Sequence, residues 1–336
     1  MGAERSLLLG EAKLRTLTEA KNLTDFTGQL SETIYEKQIA KISTLSSRKL
    51  EHAFTENLIE TYIKIIKNSP KKAATFLQLY LLKFEVENVK ALIKAANAKL
   101  SPEQKLDKIY FSAEAFLRRG VLFEESSKAS DLKETVNSLK STEYVSALKM
   151  GMVSYEADGS TACFDVLLDK YFYEKAFEAY ENLPAKEKPH AYPYVSLEND
   201  GFVLLVLLRG KNLHYSSDWL RLAAPTKKFN LPDQIVEELV MAPDFDSAVK
   251  IASGGYYAKY FAKASSPEET LANAQKALTK TLFFHAKESR FTEVFNVGAV
   301  LAFLTQKEVE VYNLRTISLG VDAGLKPEDI LRHLLL

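Results

Sequence analysis

The stretch that decides the fold is EVEVYNLRTISLGVDAGLKPEDILRHLL, residues 308–335, because an earlier stretch follows the same pattern. Residues 84–109 read FEVENVKALIKAANAKLSPEQKLDKI and align with the later stretch at a constant offset, without a gap. The aligned pairs are Glu310 with Glu85, Asn313 with Asn88, Leu325 with Leu100, Pro327 with Pro102, and Glu328 with Glu103. Self-similarity at a fixed distance indicates an internally repeated chain.

A third and looser version lies between these two, in ENDGFVLLVLLRGKNLHYSSDWLRLA, residues 198–223. It places Asp200 at the position of the acid and Val203 at the position of the asparagine. In each version an apolar run leads into a loop and then into residues typical of a helix start. Residues 84–109 contain Ser101 and Gln104, which predict a capping box, and residues 198–223 contain Ser216 and Ser217, either of which could be the cap. Residues 308–335 repeat the proline, Pro327, and the acidic first turn. Each version therefore predicts a long helix followed by a short, capped one.

A second shared phrase opens each repeat. Residues 22–35 (NLTDFTGQLSETIY) and 131–144 (DLKETVNSLKSTEY) share the pattern L-x-x-T-x-Y, whereas residues 244–257 (DFDSAVKIASGGYY) keep only its tyrosine. The repeated tyrosines are Tyr35, Tyr144 and Tyr257. Leucines at helical spacing predict an amphipathic helix in the opening phrase.

These patterns, with few glycines and prolines, predict an all-α fold of three similar helical domains. The repeats run from about residue 22 to 110, 131 to 225 and 244 to 336, and the domains are expected at 1–115, 116–228 and 229–336. Residues 1–21 are predicted to form a helix that leads into the first repeat. A period of this length is too long for tetratricopeptide, ankyrin or HEAT repeats.

Composition excludes several classes of protein. Basic and acidic residues balance at 44 each, so no nucleic-acid partner is indicated. The longest apolar runs, residues 202–208 and 297–304, are far shorter than the ~20 residues of a membrane span, and the N-terminus does not read as a signal peptide. The single cysteine, Cys163, excludes an internal disulfide and is expected to be a small buried residue.

The motifs of common enzymes and cofactor sites are not found. The pair Gly210-Lys211 lacks the other residues of a phosphate-binding loop, and the five histidines are not spaced as metal ligands. No G-x-S-x-G motif is present. We therefore predict no catalytic residue, no cofactor and no metal site.

The repeated acids Glu85, Asp200 and Glu310 allow two interpretations. They could converge on an axis as a proton or cation site, or they could lie near helix starts and, with Asn88 and Asn313, act as caps and favourable charges for the helix dipole. The second interpretation is the stronger one. The aromatic residues are expected to pack between helices with hydrogen-bonded hydroxyls rather than to stack on nucleic-acid bases; they are Tyr35, Tyr144, Phe164, Tyr171, Phe172, Tyr173 and Tyr257.

The combination of motifs resembles a known family. The segments KEVEVYNLRTISLGVDAGLKPEDI, LDKYFYEKAF and LRGKNL, with the repeated openings, resemble the C subunit of archaeal-type rotary ATPases, whose counterpart in the vacuolar ATPase is the d subunit. The resemblance covers nearly the whole chain. The Arg-Gly-Lys turn stands only in the middle copy, and the amino-terminal arm is shorter than the family leads us to expect.

The resemblance implies a pseudo-threefold funnel of three helical domains that works as a non-catalytic rotor adaptor. Such a protein sits peripherally at the cytoplasmic face of the membrane, in one copy per complex. It joins the membrane proteolipid ring to the central-stalk subunits and transmits torque for hydrogen-ion or other ion transport coupled to ATP synthesis or hydrolysis. It binds no nucleotide or ion itself.

Partner contacts and alternative functions remain open at the level of sequence. Arg209 and Lys211, with Lys94 at the equivalent loop, are candidates for an electrostatic contact with an acidic partner, although a solvated loop explains them as well. A helical interaction scaffold for soluble partners is the alternative function. An enzyme whose site is assembled from dispersed residues is a third possibility.

Overall fold

The computed structural model describes residues 8–289 and 296–336. Every regular element in this part of the chain is helical, which confirms the all-α prediction. The predicted N-terminal helix is shorter than residues 1–21, because α1 spans Glu11–Thr18 after the extended residue Gly10. The part of that prediction that falls on residues 1–7 lies outside the described residues. Leu14 and Leu17 of α1 are buried, as its apolar stripe requires.

The helices follow a similar order in three segments, residues 22–110, 131–225 and 244–336. The first segment holds α2 (Leu23–Gly28), α3 (Glu36–Ile39), α4 (Ser47–Lys67), α5 (Lys71–Asn97) and α6 (Pro102–Leu106). The second holds α9 (Leu132–Ser138), α10 (Val145–Asp158), α11 (Ala162–Glu181), α12 (Lys188–Asn212) and α13 (Ser217–Ala223). The third holds α15 (Phe245–Ala252), a 3₁₀ turn (Ala258–Tyr260), α16 (Pro267–Glu288), α17 (Val297–Asp322) and α18 (Pro327–His333).

Three further helices connect the segments. The link from the first to the second segment contains α7 (Phe111–Leu117) and α8 (Gly120–Ser127). The link from the second to the third contains α14 (Asp233–Met241). Each segment therefore has a short opening helix, two long helices that follow one another, and a short closing helix.

Side-chain caps explain where the short helices begin. The opening helices α2, α9 and α15 start after Asn22, Asp131 and Asp244, whose side chains accept the backbone N–H three residues on at 2.8–2.9 Å. Ser101 forms the predicted capping box with Gln104 at α6, and Ser216 caps α13 as predicted.

The second long helices α5, α12 and α17 all end in the same turn. Lys99, His214 and Gly324 adopt left-handed backbone angles, with φ of 53°, 58° and 67°. The next residue in each turn donates its N–H to a carbonyl five residues back, at 2.9–3.0 Å, as in a Schellman motif. Only the third turn has the glycine that this conformation favours, so the first two accept the steric cost of a side chain.

The six long helices contact one another in a closed cycle. Within each segment the two long helices pack together, as α4 with α5, α11 with α12, and α16 with α17. Between segments α5 packs on α11, α12 on α16, and α17 on α4. The last long helix of the chain thus returns to the first.

The hydrophobic cores lie between segments rather than inside them. One core joins α5 to α9, α10 and α11; a second joins α12 to α15 and α16; the largest joins α17 to α1, α2 and α4. Each core combines the second long helix of one segment with the opening and first long helix of the next. The apolar face of a long helix is therefore buried by its neighbour in the cycle, and Cys163 is buried in the first of these cores.

Candidate functional site

The repeated acids lie in the middle of long helices, where each meets a tyrosine of the next segment. Glu85, Asp200 and Glu310 are buried within helices that begin at Lys71, Lys188 and Val297. The predicted role in capping or the helix dipole is therefore wrong, because both effects are confined to the first turn. The tyrosine partners are Tyr144, Tyr257 and Tyr35, respectively.

We define the third interface as the contact between the third and the first segments. Here the Tyr35 hydroxyl donates to Glu310 Oε1 at 2.5 Å, and Lys307 Nζ donates to the same oxygen at 2.8 Å. Lys307 also donates to the Tyr35 hydroxyl, and the Leu9 backbone N–H donates to Glu310 Oε2. Burial, and then the Glu310 charge, raise the pKa of Tyr35. The buried carboxylate is thus balanced by a buried ammonium group.

The second interface joins the second and third segments through Asp200. The Tyr257 hydroxyl donates to Asp200 Oδ2 at 2.7 Å. The backbone N–H groups of Phe229 and Asn230, in the link between the segments, donate to the two carboxylate oxygens at 2.9 and 2.6 Å. Burial raises the pKa of Asp200, and these donors oppose the rise.

The first interface joins the first and second segments through Glu85. Arg119, which precedes α8, donates to Glu85 and to Glu143. The Tyr144 hydroxyl lies near Glu85 but has no hydrogen-bond partner among the described residues. A second buried carboxyl, Glu114, lies next to this pair. Burial, and then the Glu85 charge, raise the pKa of Glu114 to about 8. This interface therefore holds a carboxyl group that is mostly protonated at neutral pH.

Asn88 and Asn313 hold the chain that follows the closing helix. Asn88 accepts the N–H of Tyr110 at 2.8 Å and donates to its carbonyl, and Asn313 makes the same pair of bonds with Leu335 at 2.8 Å each. In the middle segment Val203 stands at the asparagine position. In the other two segments the bonded residues are 22 positions apart. The residue 22 positions after Val203 is Pro225, which has no N–H to donate.

Asn88 also links this contact to the first interface, because its amide donates to Glu114 Oε1 at 2.7 Å. The other oxygen of Glu114 has no hydrogen-bond partner among residues 8–289 and 296–336.

The basic residues predicted to contact a partner have different surroundings. Lys94 Nζ lies 2.8 Å from Asp165 Oδ2 and is half exposed, and Arg209 donates to Gln275. Lys211 instead donates to the carbonyls of Val240 and Ala242 at 2.7 and 2.6 Å, at the end of α14. Their contact with a partner stays a prediction.

The glycine of the LRGKNL motif serves packing. A Cβ at Gly210 would lie 2.2 Å from a methyl carbon of Leu220, and a Cβ at Gly320 would lie 2.6 Å from Ile330. Both glycines let a closing helix approach its long helix closely.

The predicted aromatic residues pack between helices. Edge-to-face contacts join Tyr35 to Phe54, Tyr144 to Tyr171, and Phe172 to Tyr173, with ring centroids 5.0–5.3 Å apart. Tyr257 packs against neighbouring tyrosines and Phe164 is buried. The packing part of the prediction is confirmed. The predicted hydroxyl hydrogen bonds form at Tyr35 and Tyr257, but the Tyr144 hydroxyl has no hydrogen-bond partner among residues 8–289 and 296–336.

A central cavity of about 590 Å³ lies among the long helices of all three segments. Its walls come from α5, α11, α12, α16 and α17, and Leu335 also lines it. The volume is within the range of about 300–1,000 Å³ that is usual for ligand pockets. Aromatic side chains and charged groups line it together, including Tyr80, Tyr173, Lys83, Glu198 and Glu308.

Three charged residues of this cavity occupy equivalent positions in the repeat. Lys83, Glu198 and Glu308 each stand two residues before one of the repeated acids. Residues two apart on a helix point in nearly opposite directions, so the acids face the interfaces while these residues face the cavity. These three residues were not among the predicted site residues because their chemical types differ, although they share one position in the alignment of the three stretches.

Two of these charges neutralise each other. Lys83 Nζ forms an ion pair with Glu308 and donates to the Tyr62 hydroxyl at 3.0 Å, and Tyr62 in turn donates to Glu308. Glu198 has the Tyr80 hydroxyl beside it. Burial, and then the Glu308 charge, raise the pKa of Glu198 to about 7, although Lys83 opposes the rise.

A larger groove of about 1300 Å³ lies on the first segment alone, between α4, the end of α5 and the loop that follows. We prefer the central cavity as the functional site because all three segments form it. Within the described residues no three His, Cys, Asp or Glu side chains are placed to hold a metal ion. No helix in the same residues has the length and apolar character of a membrane span.

These features define a class of protein: an all-helical structural body that closes on itself around a polar cavity. The profile of the ATP synthase (C/AC39) subunit family matches residues 2–333. The chain belongs to this family, as the sequence motifs predicted, and its role in the synthase is accordingly structural rather than catalytic.

Curated relatives agree with the family match. The chain is 27% identical to the C subunit of the A-type ATP synthase of Methanocaldococcus jannaschii, over 99% of this chain and 84% of the relative. It is 24% identical to the proteins of the same name from Methanobrevibacter smithii and Thermococcus kodakarensis. The alignment with the first relative covers 99% of this chain and 85% of that protein. The alignment with the second covers 98% of this chain and 86% of that protein.

Proposed function

We propose that the chain is the non-catalytic central-rotor adaptor of an A-type or V-type rotary ATP synthase. In this role it is the socket between the central stalk and the membrane proteolipid ring, and it transmits torque between them. The single observation that best supports the proposal is the closed cycle of long helices around a polar cavity. A closed, densely packed body resists twisting, as a torque adaptor must.

The proposal includes an internal triplication with pseudo-threefold symmetry and a funnel shape. Its support is the recurrence of the same long-helix contacts, the same left-handed turn and a tyrosine beside the repeated acid at each step around the cycle, with a hydrogen bond at two of the three steps. The corresponding domains are residues 1–115, 116–228 and 229–336. The hydrophobic cores straddle these boundaries, so we expect the domains to be thermodynamically coupled.

The proposed partners are the central-stalk subunits, which would enter the cavity, and the proteolipid ring, with one copy of the chain per complex. The proposed location is peripheral, at the cytoplasmic face of the membrane. The names of the curated relatives support an ATP synthase complex as the setting.

Affinity capture from gently solubilised native membranes tests this function. The tagged full chain is expected to retain a proteolipid, central-stalk subunits and the nucleotide-binding head, identified by mass spectrometry. Capture of soluble proteins alone, under conditions that keep the ATPase intact, would contradict the adaptor role and favour the helical interaction scaffold.

A charge reversal tests whether the predicted basic contact takes part. Lys94→Glu is the cleanest variant, because Lys94 is half exposed and its one ion pair, with Asp165, is worth little. We expect several-fold weaker capture of the partners with unchanged helicity by circular dichroism. Lys128→Glu, at an exposed site paired with Glu125, is the matched control. Equal capture by both variants would remove Lys94 from the contact.

A further inference from the structure

The three equivalent positions that face the central cavity, Lys83, Glu198 and Glu308, do not carry balanced charges. Lys83 and Glu308 form an ion pair supported by Tyr62, so their charges cancel. Glu198 on α12 is the remaining charged group among the three equivalent positions. Within residues 8–289 and 296–336, no cationic group forms an ion pair with it.

The groups that face Glu198 come from every surrounding helix. Tyr62 on α4, Tyr80 and Lys83 on α5, Tyr173 on α11, and Glu308 on α17 all interact with it electrostatically. On α16 the cavity is lined by Gln275 and Lys276, but Lys276 donates to the carbonyl of Arg332 and Gln275 accepts from Arg209. The cations near the cavity are therefore engaged elsewhere.

Glu198 is half-buried, and partial desolvation of a carboxylate without a matching cation is unfavourable and favours its protonated form. A cation brought into the cavity would remove this cost. The aromatic walls formed by Phe172, Tyr173 and Tyr312 suit the apolar stem of a long basic side chain. The cavity has room for such a group.

We propose that the central cavity receives an arginine or lysine side chain from the central-stalk partner, and that this cation pairs with Glu198. The inference rests on the proposed function and adds the chemistry of the contact. Binding then replaces a proton on Glu198 with the partner's cation. The contact is specific to the second segment, since the equivalent residues of the other two neutralise each other.

The linkage between binding and protonation gives a quantitative expectation. With the pKa of free Glu198 at about 7, about half of the molecules carry the proton at pH 7. Pairing with a cation lowers that pKa, so each binding event releases about half a proton at pH 7. The affinity consequently rises about tenfold between pH 6 and pH 8, because the ionised form is needed for binding.

The experiment is titration calorimetry of the purified full chain against the isolated central stalk of its complex, in buffers of different ionisation enthalpy. Wild type is expected to bind and to release the proton. Glu198→Gln should bind about tenfold more weakly at pH 8, without proton release and with a flat affinity from pH 6 to 8. Glutamine has the shape of the protonated acid, and circular dichroism verifies that the variant is folded. Glu178→Gln, outside the cavity and exposed, is the matched control and should behave as wild type.

The outcomes separate the two proposals. If wild type binds the stalk but Glu198→Gln binds equally well and releases the same number of protons, the role of Glu198 is overturned and the adaptor function stands. If wild type does not bind the stalk, the socket function fails and the inference fails with it. Proton release that Glu198→Gln alone abolishes would establish the contact.

Discussion

The first and third interfaces use the same repeated acid and tyrosine but balance the charge differently. At the third, Glu310 meets the buried ammonium of Lys307 from the same helix. At the first, Glu85 meets Arg119 from the connecting chain, and the second carboxyl of Glu114 shares the site. The repeat pattern thus places a buried acid at each interface. Residues outside the pattern decide whether an ion pair alone balances the charge, as at the third interface, or an ion pair together with a bound proton, as at the first.

Removing the Lys307 ammonium from the third interface is expected to cause the largest loss of stability. Lys307→Met should lower the free energy of unfolding by about 3–5 kcal/mol, because it leaves Glu310 buried with the Tyr35 hydroxyl and a backbone N–H as its donors. Urea denaturation at pH 7 measures the loss. Lys128→Met, which removes an exposed ion pair, is the control and should cost less than about 1 kcal/mol. A loss as small as the control's would contradict the charge balance described for this interface.

The first interface is expected to respond to pH as well as to loss of its Arg119–Glu85 ion pair. The pKa of Glu114 is raised to about 8 in the folded protein. Its contribution to stability is therefore complete below its unfolded value of about 4.3 and is lost as the pH rises through about 8. Glu114→Gln should be more stable than wild type by about 3–4 kcal/mol at pH 7, and this advantage should disappear near pH 4.

Denaturation curves at several pH values test this expectation. Glutamine retains the oxygen that accepts from the Asn88 amide, so the variant isolates the effect of charge. Glu125→Gln, on the exposed side of α8, provides the comparison and should show no such pH dependence. Parallel curves for wild type and Glu114→Gln would rule out a bound proton at the first interface.

The second interface should lose the least stability when its tyrosine hydroxyl is removed, because two backbone N–H groups also donate to Asp200. Tyr257→Phe removes one hydrogen bond to Asp200, but the N–H groups of Phe229 and Asn230 remain. We expect a loss of about 1–2 kcal/mol. The loss should be larger for Tyr35→Phe, because the Tyr35 hydroxyl accepts from the charged Lys307 ammonium, whereas the Tyr257 hydroxyl accepts from the neutral Asn230 amide at 3.3 Å. Thermal or urea unfolding of the two variants measures the difference. The reverse order would show that the backbone donors contribute little.

Much of the fold could be predicted from the sequence because the signals are local. The capping serines Ser101 and Ser216 and the helical spacing of apolar residues depend on near neighbours in the chain, and they appear as predicted. The family could also be predicted, since the motifs that carry the resemblance, such as LRGKNL, are short and contiguous in the sequence.

The role of the repeated acids was not predictable in the same way. The sequence places Glu85, Asp200 and Glu310 three residues before an asparagine or its equivalent, which is compatible with a helix start. The long helices begin much earlier, and a tyrosine from another segment supplies the contact. A hydrogen bond between residues 275 positions apart, as for Tyr35 and Glu310, leaves no local signal.

The sequence by itself determined the helical class, the repeated pattern and the family, because periodicity and caps act over one or two helical turns. Only the tertiary structure decided which helices pack together, how each buried acid is neutralised, and which residues meet in the central cavity. Lys83, Glu198 and Glu308 show the reason. They occupy one position of the repeat, but their ionisation depends on the desolvation and the charges that arise only when three distant helices are brought together.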